Sequence, residues 1–278
     1  MNVRINGRPG HAIDSRDRGL QYGDGLFETM RIHGGRACLL EYHLDRLWHG
    51  CRTLALPAPD PMVLRREIEK AASGRRDGIL KLVLTRGRGS RGYRPTGAER
   101  GTRILSLHAL PRAGLAGSAS AARVRLCTTP ISMNPRLAGL KTLNRLDSVL
   151  ARAEWRNERI WEGLMSDVDG NWVCGTMSNL FLKRGDALIT PLLDRCGVAG
   201  VMRRWILENA GVLNLRVKVR RVRWQDLRSA EEVFMSNAVI GIRSVRAIEG
   251  ARHPSLRFSA TGTAESLRVL LGREWAAR

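Results

Sequence analysis

The chain has 278 residues and a formal charge of +21, with 47 lysines and arginines set against 26 aspartates and glutamates. It holds no run of about 18 or more apolar residues, and its start, MNVRINGRPG, lacks an apolar signal-peptide core, so a cytoplasmic protein without a membrane span is expected. Cys38, Cys51, Cys127, Cys174 and Cys196 are odd in number and widely spread, with no CxxC pair and no Cys/His group at metal spacing, which speaks against a disulfide framework or a zinc site.

In chain order, Val3 to Asn6 reads as a short strand ended by the Asn6-Gly7 turn. Arg18 to Gly25 is a glycine-rich loop of the kind that lets backbone come close to something. Phe27 to His33 is a strand that Gly34-Gly35 turns into Arg36 to Leu39, forming a hairpin. Glu41 to Leu54 carries Leu44, Leu47, Trp48, Cys51 and Leu54 at helical spacing, with His43 and Arg46 three apart on the same helix. Arg46 is either an exposed helix arginine or one that points into a site. Asp60-Pro61 caps a second helix that runs towards Ala72. Gly78 to Arg86 and Arg103 to Leu110 read as strands, and the loop GRGSRGYRP between them is a carboxylate clamp or simply a wet loop.

Pro111 to Ala121 (PRAGLAGSASA) is small and poor in large apolar residues, which sets the expected division: an N-terminal lobe 1–112, a linker 113–121 and a C-terminal lobe 122–278. The second lobe opens with a strand, Arg123 to Thr129. A helix from near Asn144 follows, with Leu146, Val149, Leu150 and Ala153 predicted to hold its apolar face against a core. Strands around Gly163 to Asp167, Asn171 to Cys174, Asn179 to Arg184 and Ala187 to Thr190 suggest an antiparallel or mixed sheet. Gly197-Val198-Ala199-Gly200 opens a helix, Val201 to Asn209, whose N-terminus offers free amides to a phosphate. Strands near Leu215 to Val222 and Glu232 to Ser236 and a helix from Ala264 to Trp275 complete an α+β lobe.

The charge raises nucleic acid or an anionic substrate as partners. Yet the arginines are scattered, with one short cluster at Arg216 to Arg223 and a smaller one at Arg86 to Arg94, and no nucleic-acid-binding motif accompanies them. Lysine is kept only at Lys70, Lys81, Lys141, Lys183 and Lys218. Lys141 stands out at the mouth of a helix, because an amine can deprotonate and form a Schiff base whereas a guanidinium cannot. The plain alternative is a solvated loop lysine.

An ordered set of motifs spans nearly the whole chain: YGDGLFET at Tyr22 to Thr29, HLDRL at His43 to Leu47, RGSRGYRP at Arg88 to Pro95, GLKTLNRL at Gly139 to Leu146, MSNLF at Met177 to Phe181, GVAGVMRR at Gly197 to Arg204 and SNAV at Ser236 to Val239. Together they resemble the fold-type IV pyridoxal-phosphate enzymes, the class-IV aminotransferase family, and most closely its aminodeoxychorismate lyase branch. The resemblance implies a two-lobed α+β fold, a smaller N-terminal α/β sandwich lobe with a larger C-terminal mixed-sheet lobe, and a homodimer. It implies that Lys141 carries pyridoxal 5'-phosphate, and that Arg46, the amides of Val201 and Met202, Asn237 and Ala238 hold the phosphate. Arg91 and Tyr93 match places where relatives recognise a substrate carboxylate, which suits a dicarboxylate. The expected reaction is a lyase step that yields 4-aminobenzoate and pyruvate, with an amino-acid transaminase (D-amino-acid or branched-chain type) or a basic nucleic-acid-binding protein as alternatives. One departure is visible: family members place a glutamate five residues before the asparagine of MSNLF to partner the cofactor's pyridine nitrogen, and here that position is Cys174.

Overall fold

The structure is a computed structural model that describes residues 2–110, 121–250 and 253–277. It divides into two units, Met1–Arg112 with Leu140–Asn144, and Ala113–Gly139 with Arg145–Arg278. Positions 113–120 of the expected linker lie outside the described residues.

The first unit is built on β1 (Asn2–Ile5), β2 (Arg8–Pro9), α1 (Arg18–Tyr22), β3 (Gly25–His33), β4 (Arg36–Ala37), α2 (Leu40–Leu54), α3 (Pro61–Ser73), β5 (Asp77–Thr85) and β6 (Thr102–His108). Its strands form one antiparallel sheet in the order β2-β1-β6-β5-β3-β4. Strand alternation explains the core: Leu26, Met30 and Ile32 of β3 and Leu80, Leu82 and Leu84 of β5 pack with Leu44, Leu47 and Cys51 of α2 and Leu64 and Ile68 of α3. Asp60 caps α3 through its carboxylate, which accepts from the amides of Met62 and Val63, with Pro61 at the first turn. The glycine-rich stretch is not all loop. Arg18–Tyr22 winds into a helical turn because Asp17 accepts from the Gly19 amide at its start and Gly23, at φ +68°, ends it in the left-handed region.

The lysine segment joins this first unit rather than the second. The Phe27 amide donates to the Lys141 carbonyl at 3.0 Å and the Leu143 amide donates to the Gly25 carbonyl at 3.0 Å, with Leu26 and Thr142 paired in an antiparallel bridge. Because β4 covers β3 only at Ile32 and His33, the segment takes the other end of that edge.

The second unit contains β7 (Ala122–Leu126), α4 (Leu146–Ala153), β8 (Glu162–Ser166), β9 (Trp172–Gly175), β10 (Asn179–Arg184), β11 (Ala187–Pro191), α5 (Val201–Asn209), β12 (Arg216–Arg220), α6 (Trp224–Arg228), β13 (Glu232–Asn237), β14 (Gly241–Glu249), β15 (Leu256–Arg257) and α7 (Gly262–Ala277). Its sheet runs β12-β11-β10-β13-β14-β7-β8-β9, and β9 pairs back onto β10 at Cys174 and Asn179, closing a barrel-like ring. It is mixed: β11–β12, β14–β7 and β7–β8 are parallel and the other pairs antiparallel.

The predicted inward face of α4 is overturned. Leu146, Val149 and Leu150 are 75%, 59% and 59% exposed, and Ala151 is the residue this helix buries. The apolar spacing was real, but spacing alone does not say which side a stripe faces. No helix among the described residues is long and apolar enough to cross a membrane.

Candidate active site

In the first unit the chemistry gathers around a carboxylate that sequence reading passed over. Glu28 lies in the same alternating row of β3 as Leu26, Met30 and Ile32, so its side chain turns towards α2 with the apolar ones and is only 1% exposed. There it accepts from His43 Nδ1 at 2.6 Å, from Arg46 Nε at 2.8 Å and from Arg46 Nη2 at 2.5 Å. The three-residue spacing of His43 and Arg46 on α2 brings both onto this one partner. Burial pushes the Glu28 carboxyl up, but the charges of Arg46 and His43 and their hydrogen bonds outweigh it and hold the group at about 2. Burial lowers the His43 pKa, Glu28 opposes that, and Arg46 and Lys141 add to the lowering. His43 Nδ1 faces the carboxylate, and its buried Nε2 finds no hydrogen-bond partner among the described residues. Lys141 is half-buried, its Nζ 4.2 Å from the Phe27 ring centroid.

Arg91 and Tyr93 lie in the loop between β5 and β6, both exposed, Tyr93 at 84%. Tyr93 meets Tyr22 edge-on at 5.4 Å. Arg91 lines a cavity of about 720 Å³ in the first unit together with Arg16, Tyr22 and Arg88.

In the second unit, Gly200 starts α5 with no side-chain cap, and the first helical bond runs from the Arg204 amide to the Gly200 carbonyl at 2.9 Å. The amides of Val201 and Met202 precede that bond and point out of the helix end, where the dipole favours an anion. A side chain at Gly200 would collide with Asn179 Oδ1, and Asn179 Nδ2 donates to the Val198 carbonyl at 2.9 Å. The asparagine of MSNLF thus shapes the turn that presents those amides. Asn237 ends β13, and its Oδ1 accepts from the Val239 and Ile240 amides at 2.9 Å each, fixing the turn that begins at Ala238.

Cys174 is 7% exposed and packs among Cys127, Trp155, Met165, Val173 and Cys196. Burial pushes its thiol up to about 12, with Cys196 and Glu162 adding to the rise and Arg145 opposing it, so it is a neutral thiol. The nearby carboxylate does not stand in for a missing one. Glu162, fully buried, accepts from the amides of Gly163, Thr176 and Met177 and from the hydroxyls of Thr176 and Ser178 at 2.5–3.2 Å, which commits it to the turn after β9. Among the described residues no group of three or more His, Cys, Asp or Glu is arranged to hold a metal ion. The Arg216 to Arg223 cluster is largely engaged with carboxylates: Arg216 with Asp186, Arg220 with Asp226 and Arg221 with Asp194.

Residues 25–248 match the amino-transferase class IV family. The chain belongs to that family, and its fold is the fold-type IV architecture. It is 33% identical over 244 residues to the aminodeoxychorismate lyase of Vibrio harveyi, covering 88% of this chain and 90% of that protein. A solved structure of 4-amino-4-deoxychorismate lyase from Pseudomonas aeruginosa aligns with a TM-score of 0.91 at 42% identity, covering 98% of both chains. A PLP-bound hypothetical aminotransferase from Mycobacterium tuberculosis shares the fold at 22% identity and TM-score 0.82, over 97% of both chains.

Proposed function

We propose that this protein is a pyridoxal-phosphate-dependent lyase that converts 4-amino-4-deoxychorismate to 4-aminobenzoate and pyruvate. The observation that carries the reading is the 42% identity to a 4-amino-4-deoxychorismate lyase along 98% of both chains. The donor set fits the cofactor: uncapped amides at the start of α5 and the Arg46 guanidinium suit a phosphate, and the Lys141 amine suits an aldehyde. At Cys174 the fit is partial, since a neutral thiol is a poor partner for a pyridinium.

In this reading the Val201 and Met202 amides, Arg46 and the Asn237-Ala238 turn hold the phosphate. Glu28 keeps the Arg46 fork at one angle, with two of its N–H groups engaged. Once bound, the cofactor supplies an aldehyde that condenses with amines and a ring that draws electrons from the carbon beside the nitrogen. Lys141 would hold the cofactor through Nζ and, when freed by the substrate amine, would be placed to take the proton from the ring carbon that bears nitrogen and return it to the departing enolpyruvate. The carbon–oxygen bond to the enolpyruvyl group breaks, and aromatisation of the ring drives the step. Arg91 and Tyr93 receive a substrate carboxylate.

The protein should be yellow, with a band removed by borohydride and absent in Lys141→Ala, and should release 4-aminobenzoate without any amino acceptor. Product that appears only with an added keto acid would make it a transaminase, and a colourless protein that takes up no cofactor would overturn the reading. A cytoplasmic location is supported by five cysteines that are all free. A homodimer is supported by the outward Leu146, Val149 and Leu150 of α4, a stripe that a second copy would cover. Sedimentation at micromolar concentration checks this, and a monomer there removes it.

A further inference from the structure

Arg18 in α1 is only 3% exposed in a chain whose other arginines mostly reach solvent. Each nitrogen of its guanidinium donates a hydrogen bond. Nη1 donates to the Gly92 carbonyl at 2.8 Å, Nη2 to the Tyr93 carbonyl at 2.8 Å and Nε to Asp24 Oδ2 at 2.9 Å. It also lies over the Tyr22 ring, 4.9 Å from the centroid, and the Tyr22 hydroxyl accepts from the Gly92 amide at 3.3 Å. The anchor is itself held. Arg86 grips the same Asp24 through Nε at 2.7 Å and Nη2 at 3.1 Å, and donates to the Leu54 and Ala55 carbonyls at the end of α2.

These bonds act on the backbone of the loop that carries Arg91. Arg91 makes no hydrogen bond or ion pair with another described residue, whereas Arg16 on the same cavity is tied to Asp14. A free guanidinium on a cavity wall, beside a loop whose shape is imposed from below, is what an anion-binding side chain needs: a fixed base and an open end. Gly89 belongs to the same arrangement, because a Cβ there would meet Arg18 Cδ at 2.6 Å and Cγ at 2.9 Å. The loop lies against the arginine stem too closely for any larger residue.

We propose that Arg18 is the positioning residue for substrate-carboxylate recognition, fixing the Gly92 and Tyr93 carbonyls so that the loop presents Arg91 to a carboxylate of the substrate in the adjoining cavity. This rests on the proposed lyase reading. Lysine could not replace it, since one ammonium on a flexible stem does not span two carbonyls and a carboxylate as a planar fork does.

The test is steady-state kinetics with 4-amino-4-deoxychorismate on the cofactor-loaded wild type, Arg18→Lys and Gly89→Ala, with the cofactor absorption band and cofactor uptake measured in parallel. Both variants should raise KM about ten- to hundredfold while leaving kcat within about threefold, the range of a lost charge-assisted contact. Cofactor uptake and the absorption band should not move. Gly89→Ala keeps Arg18 itself and carries the test if Arg18→Lys does not fold. An active wild type with unchanged KM in the folded variants overturns the proposal alone, as does a loss of cofactor uptake equal to the loss of activity. A wild type that forms no 4-aminobenzoate overturns the lyase reading and this proposal with it.

Discussion

Replacing Glu28 with glutamine tests whether the buried carboxylate is what holds Arg46 in place. The wild-type carboxyl sits at about 2 against an ordinary 4.5. At about 1.4 kcal/mol per pK unit, that difference corresponds to roughly 3 kcal/mol of native-state stability. Because the folded pKa is the lower one, the unfolded chain binds the proton more readily. The contribution is therefore complete above pH 4.5 and is lost as pH falls towards 2. Glu28→Gln preserves the shape but removes the charge, leaving Arg46, whose side chain is 12% exposed, without its counter-ion. Breaking a buried pair in this way costs on the order of 3–5 kcal/mol. Urea titrations of cofactor-free protein should show the variant about 2–4 kcal/mol less stable at pH 7, with the gap narrowing by about half at pH 3 as the wild type loses its advantage. Equal stability at pH 7, or a gap that stays constant down to pH 3, would refute the reasoning.

Cys174→Glu should place a carboxylate where the neutral thiol now sits and raise the pH at which the bound cofactor's ring nitrogen loses its proton by about one to three units, read from the absorption spectrum. A folded, cofactor-loaded variant with an unchanged pH profile would show that this side chain does not address the ring. Gly200→Ala forces the new methyl against Asn179 Oδ1 and should disturb the Val198 to Gly200 turn. Phosphate-bearing cofactor should then bind at least about tenfold more weakly, and unchanged uptake by equilibrium dialysis would remove the α5 amides from the site.

The local devices were legible from sequence because each is written in adjacent residues. Gly34-Gly35 gives the β3–β4 turn, Asp60-Pro61 caps α3, and the run from Gly197 to Gly200 starts α5 at Val201, as predicted. What escaped depends on partners far along the chain. Strand β14, GIRSVRAIE, was not predicted: it mixes two arginines into an apolar run, and its order comes from β13 on one side and β7 on the other. Sequence order places the lysine segment with the second lobe, because its hydrogen bonds to β3 span more than a hundred residues. Glu28 did carry a signal, a lone carboxylate in the core-facing row of a strand, since burial of a charge is tolerated only where partners wait. His43 and Arg46, noted on α2, were those partners.

The same contrast explains the arginine-rich composition. Arg18, Arg86 and Arg46 each satisfy a carboxylate, and the first two also take a pair of carbonyls, which a planar five-donor fork does at little further entropic cost. Arg103 on Glu67 and Arg220 on Asp226 repeat the two-bond geometry elsewhere. These arginines serve as fastening, and a chain that fastens itself with guanidinium groups has no structural need for lysine at the same places. Lysine at 141 is then informative by contrast: the position over Phe27 would accept an arginine's charge, but only an amine can become neutral there and form a covalent bond.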